Sequence, residues 1–322
     1  MKAIYAERSE PRDPLAALHV GDQPAPVPSD HDWTVVSIRA AALNHHDLWT
    51  LKGNGLAAGK YPMILGCEGA GVDDTGREVI IWGMECAHEW LGHPARDPEH
   101  RLLSDHRPGT FAELVAVPRI ALVRKPEALS FDEAGCLTAT WLTAYRMLFT
   151  KSGLTPGDTV LVQGAGGGVS AALIRLATAG GIRTWVTSRT AEKRQAALDM
   201  GADAAFPHRA SLPAPVDAVM ESVGRATWAH SIRSLRAGGT VVVTGATTGG
   251  TPPALLNRIF WNELRVVGST SGTLEELRKL IAFMERENLR PDIDSVFHHS
   301  EAHEGFRRMI AGEHTGKIVF TW

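Results

Sequence analysis

Hydrophobic and polar positions change rhythm roughly 125 residues into the chain. Before that point short runs alternate with period two. Trp33-Thr34-Val35-Val36-Ser37-Ile38-Arg39 is the clearest, and Glu78–Trp82 and Phe111–Val117 repeat the pattern. Pro24, Pro26, Pro28, Gly53, Gly55, Pro62, Gly66, Gly69 and Gly71 punctuate these runs. Short strands so interrupted predict a distorted antiparallel barrel. From residue 126 the runs alternate with helical segments. Phe131 to Thr150 is apolar along one side and predicts a helix. Residues 160–162, 216–220 and 239–244 read as buried strands and 183–188 and 264–268 as two more strands, with helices at 169–179 and 191–200 among them. That succession predicts βαβ units and a parallel sheet. The last stretch is mixed, with helices at 273–287 and 301–311 and a strand at 317–321.

The change of rhythm centres on Val160-Leu161-Val162-Gln163-Gly164-Ala165-Gly166-Gly167-Gly168-Val169. An apolar strand runs into a glycine turn, and an Ala-rich helix follows. Glycine lets backbone N–H groups approach an anion closely, and a helix N-terminus adds partial positive charge. The stretch is therefore a candidate phosphate cradle. Gly164 and Gly166 fit the first two glycines of the dinucleotide fingerprint. Val169 stands where a third glycine or alanine is usual, and Gly168 can provide the close helix packing instead. The bland alternative is a flexible surface loop.

Composition narrows the picture. A chain of 322 residues, 44% hydrophobic and 21% charged, suits a globular protein of two domains. A net charge of -3 offers no basic surface for nucleic acid or membrane. The three cysteines, Cys67, Cys86 and Cys136, form no C-x-x-C pair and fit a reducing cytoplasm. The start of the chain has no signal-peptide pattern, and no apolar stretch reaches the length of a membrane span.

Several motifs carry a resemblance. They are the β-rich first part, Leu142-Thr143-Ala144-Tyr145, the run Gly164 to Val169, Leu198-Asp199-Met200-Gly201-Ala202-Asp203, and Gly316-Lys317-Ile318-Val319. Together they resemble the medium-chain dehydrogenase/reductase family over essentially the whole chain. The resemblance implies an α/β fold: a Rossmann-type doubly wound parallel sheet plus a GroES-like β-barrel. It places the barrel at 1–125 with 264–322 returning to it, and the Rossmann domain at 126–263. It also implies hydride transfer with a nicotinamide cofactor bound by Gly164, Gly166, Gly167, Gly168 and Val169. Gly245, Ala246, Ser269 and Thr270 resemble the family's nicotinamide-side loops.

A protein that selects NAD usually has an acid at the end of the second strand. Here the residues are Thr187-Ser188-Arg189-Thr190-Ala191-Glu192-Lys193-Arg194. Ser188, Arg189 and Lys193 gather where a 2′-phosphate would lie, which points to NADP(H). The alternative is a solvated helix face.

Many members of the family carry a catalytic zinc. By resemblance its ligand positions fall on Asn44, Cys67 and Ala139, and one thiol cannot hold the metal. The zinc-free branch, with quinone oxidoreductases and enone reductases, also has Asn at the first position. The region between Gly83 and Gly109 lacks the four cysteines of a structural zinc lobe. It carries Glu85, Cys86, His88, His93, His100 and His106, at spacings matching no standard zinc pattern. No metal is expected.

The chain is thus expected to be an NADPH-dependent, zinc-independent reductase of an activated double bond or quinone. Hydride transfer leaves charge on an oxygen, so the site needs a donor, and Asn44 is the first candidate. The alternative for Asn44 is a loop residue bonding its own backbone. His46 falls where zinc-dependent relatives have a proton-relay hydroxyl and is a candidate proton donor, and His45 is a candidate for cofactor phosphate; the alternative for each is an ordinary loop histidine. Thr138 and Thr143 are candidates for the nicotinamide ribose or substrate, the alternative being helix residues in a core. Two other readings stand beside this one: a zinc-free alcohol or carbonyl dehydrogenase, and a cofactor-binding protein whose catalysis has decayed. The apolar edge strand 264–268 and the behaviour of relatives predict a homodimer.

Overall fold

A computed structural model describes residues 1–56 and 58–322. Its contacts divide the chain into two units, Met1–Ala139 with Thr273–Trp322, and Thr140–Gly272.

The first unit is the β-rich one. Its largest sheet runs Leu122–Arg124, Glu78–Ile81, Gly69–Val72, Trp33–Ala42, Lys317–Thr321 and Ile293–His298, and Leu114–Pro118 also pairs with Trp33–Ala42. Its pairings are antiparallel except that of the last two strands. A smaller sheet joins Leu18–Asp22, Lys2–Ala6 and Met63–Ile64. In Trp33–Ala42, Thr34, Val36, Ile38 and Ala40 are buried, as strict alternation requires. The core closes around Phe111 and Phe320, edge to face with centroids 5.2 Å apart.

The second unit holds one six-stranded sheet in the order Ala204–Pro207, Arg183–Ser188, Thr159–Gln163, Val216–Glu221, Leu235–Val243 and Arg265–Gly268. Every pairing is parallel. Numbered along the chain, that order is 3-2-1-4-5-6, the doubly wound Rossmann arrangement. Val160, Leu161 and Val162 are buried, because helices cover both faces of such a sheet. The order reverses beside Thr159–Gln163, and ligands bind beyond the carboxyl ends of the strands at such a switch.

The unit boundaries differ from those expected from sequence. Residues 126–139 stay with the β-rich unit, where Thr138 donates to the carbonyl of Ile81. Residues 264–272 stay with the parallel sheet, because Arg265–Gly268 is its edge strand, paired with Leu235–Val243. The expected helix 131–150 is broken into Phe131–Ala134, Leu142–Tyr145 and wider-wound turns at Leu137–Trp141 and Arg146–Lys151. Among the described residues no helix is long and apolar enough to cross a membrane.

Candidate functional site

The nucleotide-binding elements lie in the second unit. Gly164 and Gly166 adopt φ of +87° and +119°, which L side chains rarely reach. The helix Gly168–Ala179 starts directly behind them, and the Ser170 hydroxyl accepts from the Gly167 N–H at 3.1 Å. The helix begins one residue before the expected Val169. Ser188 ends its strand buried, Arg189 stands exposed in the next turn, and Thr190 caps the helix Ala191–Asp199. Lys193 folds back over the cradle: a Cβ added to Gly166 would meet its Nζ at 3.0 Å. The structure therefore brings Lys193 onto the glycine turn, which sequence spacing alone does not reveal. Arg194 donates to the carbonyl of Ser188 at 3.1 Å and steadies the basic turn.

The nicotinamide-side candidates also sit at strand ends. Gly245 and Ala246 follow Leu235–Val243, and a Cβ at Gly245 would meet the Ser222 carbonyl at 2.9 Å. Ser269 is buried and its hydroxyl has no hydrogen-bond partner among the described residues, whereas Thr270 is exposed. A buried hydroxyl without a partner is costly, and a bound polar group would relieve it. The glycine turn at positive φ, the ammonium over it and the orphaned Ser269 hydroxyl all fit a nicotinamide dinucleotide. Thr143 is buried in Leu142–Tyr145.

A polar network that sequence reasoning misses supports these loops from below. Gln163 ends the first strand. It accepts from the Thr187 hydroxyl at 2.6 Å and donates to the Ser231 hydroxyl at 3.0 Å. Glu221 ends the fourth strand, fully buried. Its carboxylate accepts from the N–H groups of Val223 and Gly224 and from the hydroxyls of Thr227 and Ser231, between 2.6 and 2.9 Å. A buried carboxylate is tolerable only when so fully satisfied.

The second cluster belongs to the β-rich unit. The chain leaves Trp33–Ala42 and enters the helix His45–Leu51 at Asn44. Buried Asp47 accepts from the N–H groups of Asn44 at 2.9 Å and Gly66 at 2.7 Å, fixing the loop that carries Cys67 and Glu68 against the helix start. Burial pushes the Asp47 carboxyl up, against the opposing pull of His46 and those two N–H groups. Lys317, on the strand Lys317–Thr321, completes the cluster. Its Nζ lies 2.9 Å from Glu68 Oε1, 2.8 Å from Asn44 Oδ1 and 2.8 Å from the Leu43 carbonyl. Both side chains of the Lys317–Glu68 pair are almost wholly buried. The Ala139 N–H donates to Glu68 Oε2 at 2.7 Å.

This geometry occupies Asn44. Its amide donates to the Ala42 carbonyl at 2.9 Å and to Glu68 Oε1 at 3.0 Å, and its oxygen accepts from Lys317. The donor role expected of Asn44 toward a substrate oxygen would have to break one of those bonds. The bond to Ala42 is the backbone bracing that the alternative reading anticipates. Thr138 is likewise buried and spends its hydroxyl proton on Ile81 at 2.9 Å.

His45 is exposed, with its ring beside Trp49 at 6.5 Å between centroids. Partial desolvation, and after it the charges of Lys317 and Lys52, hold its imidazole down. His46 points instead to the 83–109 region. Its Nε2 lies 3.1 Å from Asp105 Oδ1 and 3.0 Å from Ser104 Oγ. Burial alone would lower the His46 pKa, but the Asp105 hydrogen bond and the charges of Asp47 and Asp105 overcome it and raise it.

The residues at the family's catalytic zinc positions do not fit a metal. Asn44 is engaged, Ala139 has no side-chain donor, and the single remaining thiol, Cys67, cannot hold the metal alone. The Lys317 ammonium beside Asn44 adds repulsion for a dication. The 83–109 region folds on Asp97, which accepts from the N–H groups of Ala87 and Glu99, and on an ion pair between Arg107 and Glu85 at 2.8 Å. Its histidines and Cys86 form no metal-like cluster among the described residues. Asp30, His31 and Asp32 do, and they are exposed on the surface.

Comparison with known proteins matches residues 30–127 to the alcohol dehydrogenase GroES-like domain and 168–286 to the zinc-binding dehydrogenase domain. The chain is 32% identical to the tomato (Solanum lycopersicum) 2-methylene-furan-3-one reductase, across 89% of this chain and 71% of that one. It is 28% identical to a zinc-type alcohol dehydrogenase-like protein of Schizosaccharomyces pombe, across 88% and 89% of the two chains. A crystal structure of an NAD-dependent alcohol dehydrogenase superposes with a TM-score of 0.91 at 31% identity, covering 100% of both chains.

Proposed function

The chain belongs to the medium-chain dehydrogenase/reductase family, and we propose that within it the protein is an NADPH-dependent, zinc-independent reductase of an activated double bond or quinone. The observation that carries this reading is the basic turn after Arg183–Ser188. No acid stands at that strand end, Arg189 is exposed, and the Lys193 ammonium lies over Gly166. Guanidinium and ammonium groups there suit a 2′-phosphate. The tomato relative supports the double-bond substrate by its name.

When bound, the dinucleotide supplies the hydride. The chain supplies the rest. The glycine turn and helix N-terminus hold phosphate, and Ser188, Arg189 and Lys193 hold the 2′-phosphate. His46 provides the proton that neutralises the substrate oxygen. The Lys317–Glu68–Asn44 cluster keeps the protein beside His46 rigid without metal.

A second reading, an alcohol dehydrogenase acting without zinc, is favoured by the structural likeness to an NAD-dependent alcohol dehydrogenase. The two separate in one assay. Protein dialysed against chelator is offered enones, quinones and aldehydes with NADPH, and cofactor absorbance is followed. Turnover of enones or quinones supports the proposal, and turnover of aldehydes alone supports the second reading. NADPH binding without any turnover leaves a decayed, sensing protein. Zinc bound stoichiometrically and retained through dialysis would overturn the metal-free reading.

We also place the protein in the cytoplasm as a homodimer. Among the described residues the edge strand Arg265–Gly268 pairs on one side only, and Val266 is exposed. Beside it in sequence, Leu256, Phe260 and Trp261 are 67%, 65% and 81% exposed. So much apolar surface next to a free edge suits pairing with a second copy. A monomer mass by light scattering at micromolar concentration would overturn this.

A further inference from the structure

We propose that Asp105 is a positioning residue that holds His46 through Nε2 and so makes Nδ1 the atom from which His46 delivers a proton to substrate. The inference rests on the reductase reading above and deepens it.

Two contacts carry it. Asp105 Oδ1 and Ser104 Oγ both meet the same ring nitrogen, Nε2, at 3.1 and 3.0 Å. A carboxylate accepts only, so Nε2 carries a hydrogen and the tautomer is fixed. Nδ1 is then the basic nitrogen of the neutral ring and the exchangeable N–H of the charged one. The arrangement is no nucleophile triad. A triad needs the serine and the carboxylate on opposite nitrogens, whereas here they share one.

The support is built in. Ser104 is fully buried and holds φ of +70°, a conformation that non-glycine residues adopt only when their surroundings demand it. Its N–H donates to the Arg107 carbonyl, and the Leu103 N–H to the Gly83 carbonyl, so the turn presenting both side chains is anchored on either side. His46 remains 22% exposed and Asp105 26%, which leaves the ring accessible. The 83–109 region thus supplies a carboxylate that orients the proton donor.

In the step itself the Nδ1–H bond of the imidazolium breaks and its electron pair stays on the ring. The proton joins the substrate oxygen that has gained negative charge. The neutral imidazole keeps its Nε2–H on Asp105, and water returns a proton to Nδ1. The groups that bear on the ring charge are Asp105 and Ser104 from the 83–109 region and Asp47 from its own helix. The two carboxylates favour the charged ring. The acid is therefore present at low pH and lost as pH rises through the His46 pKa.

The test uses the full-length protein without cofactor. Ring-nitrogen NMR, with His46 assigned through His46→Gln, reports the tautomer directly. The expected neutral form is protonated on Nε2. A neutral form protonated on Nδ1 in the wild type overturns the proposal, whatever the variants do. Asp105→Asn should lower the His46 pKa by about one unit, and Asp105→Glu should restore most of it. In turnover with NADPH, the alkaline fall of kcat should move down in pH by the same amount, roughly a tenfold loss above it, with NADPH affinity unchanged. Superimposable pH profiles for wild type and Asp105→Asn would also overturn it. If wild type turns over no enone, quinone or aldehyde, the reductase reading fails, and the tautomer still decides the placement of Asp105.

Discussion

The glycine cradle and the Lys317–Glu68–Asn44 cluster solve different problems, and they differ most in how far apart in sequence their parts lie. The cradle binds through backbone, so its requirements are local: an apolar strand, glycines at positive φ, a helix start. The cluster is assembled from the side chains of Asn44, Glu68 and Lys317, with the backbone N–H of Ala139. Neither Lys317 nor Glu68 has a neighbour in sequence that announces the other. Recognition by backbone leaves a signature along the chain, and recognition by assembled side chains leaves one only in space.

Breaking the cluster should have the largest effect. Lys317→Met leaves the Glu68 carboxylate buried without its cation, at a cost of about 3–5 kcal/mol in urea unfolding. Adding Glu68→Gln removes the stranded charge and should recover more than half of that loss. An unchanged midpoint for Lys317→Met would mean the pair holds nothing together.

The network beneath the cradle comes next. Glu221→Gln replaces a carboxylate that accepts from two N–H groups and two hydroxyls. The loss should be about 2 kcal/mol by the same unfolding measurement, with weaker cofactor binding because the Val223–Gly224 turn loosens.

At the cradle itself, Gly166→Ala forces a side chain onto φ of +119° and against Lys193. About 1–2 kcal/mol of strain is expected, read as lower stability together with roughly tenfold weaker NADPH binding in a titration. Binding at wild-type strength would place the phosphates elsewhere.

The same contrast explains which parts of the molecule are legible in the amino-acid sequence. The doubly wound sheet is legible because buried parallel strands are short apolar runs between helices, as at Val160–Val162. The antiparallel character of the first unit is legible in the alternation of Trp33–Ala42. Ala204–Pro207 escapes the pattern, being a short edge strand with no residue fully buried. The boundary expected at 264 is misplaced because Arg265–Gly268 looks the same whichever sheet it joins. In the candidate site, the family pattern points to Asn44 and His46 but not to the side chains that contact them. Asn44 is expected to donate to substrate, yet its amide is engaged with Ala42 and Glu68, and its oxygen with Lys317. Asp105 lies in a region with no family pattern, so only its approach to His46 reveals it.

The central claim is that the basic turn after Arg183–Ser188 selects NADPH. Fluorescence titration of NADPH and NADH against wild type and Arg189→Ala tests it most directly. Charge-assisted contacts contribute about 1.5–3 kcal/mol each, less where water screens them, as it does at exposed Arg189. The wild type should therefore prefer NADPH by at least about tenfold. Arg189→Ala should weaken NADPH and leave NADH nearly unchanged, because NADH has no 2′-phosphate. Equal affinities in the wild type would contradict the account and reduce Ser188, Arg189 and Lys193 to a solvated turn.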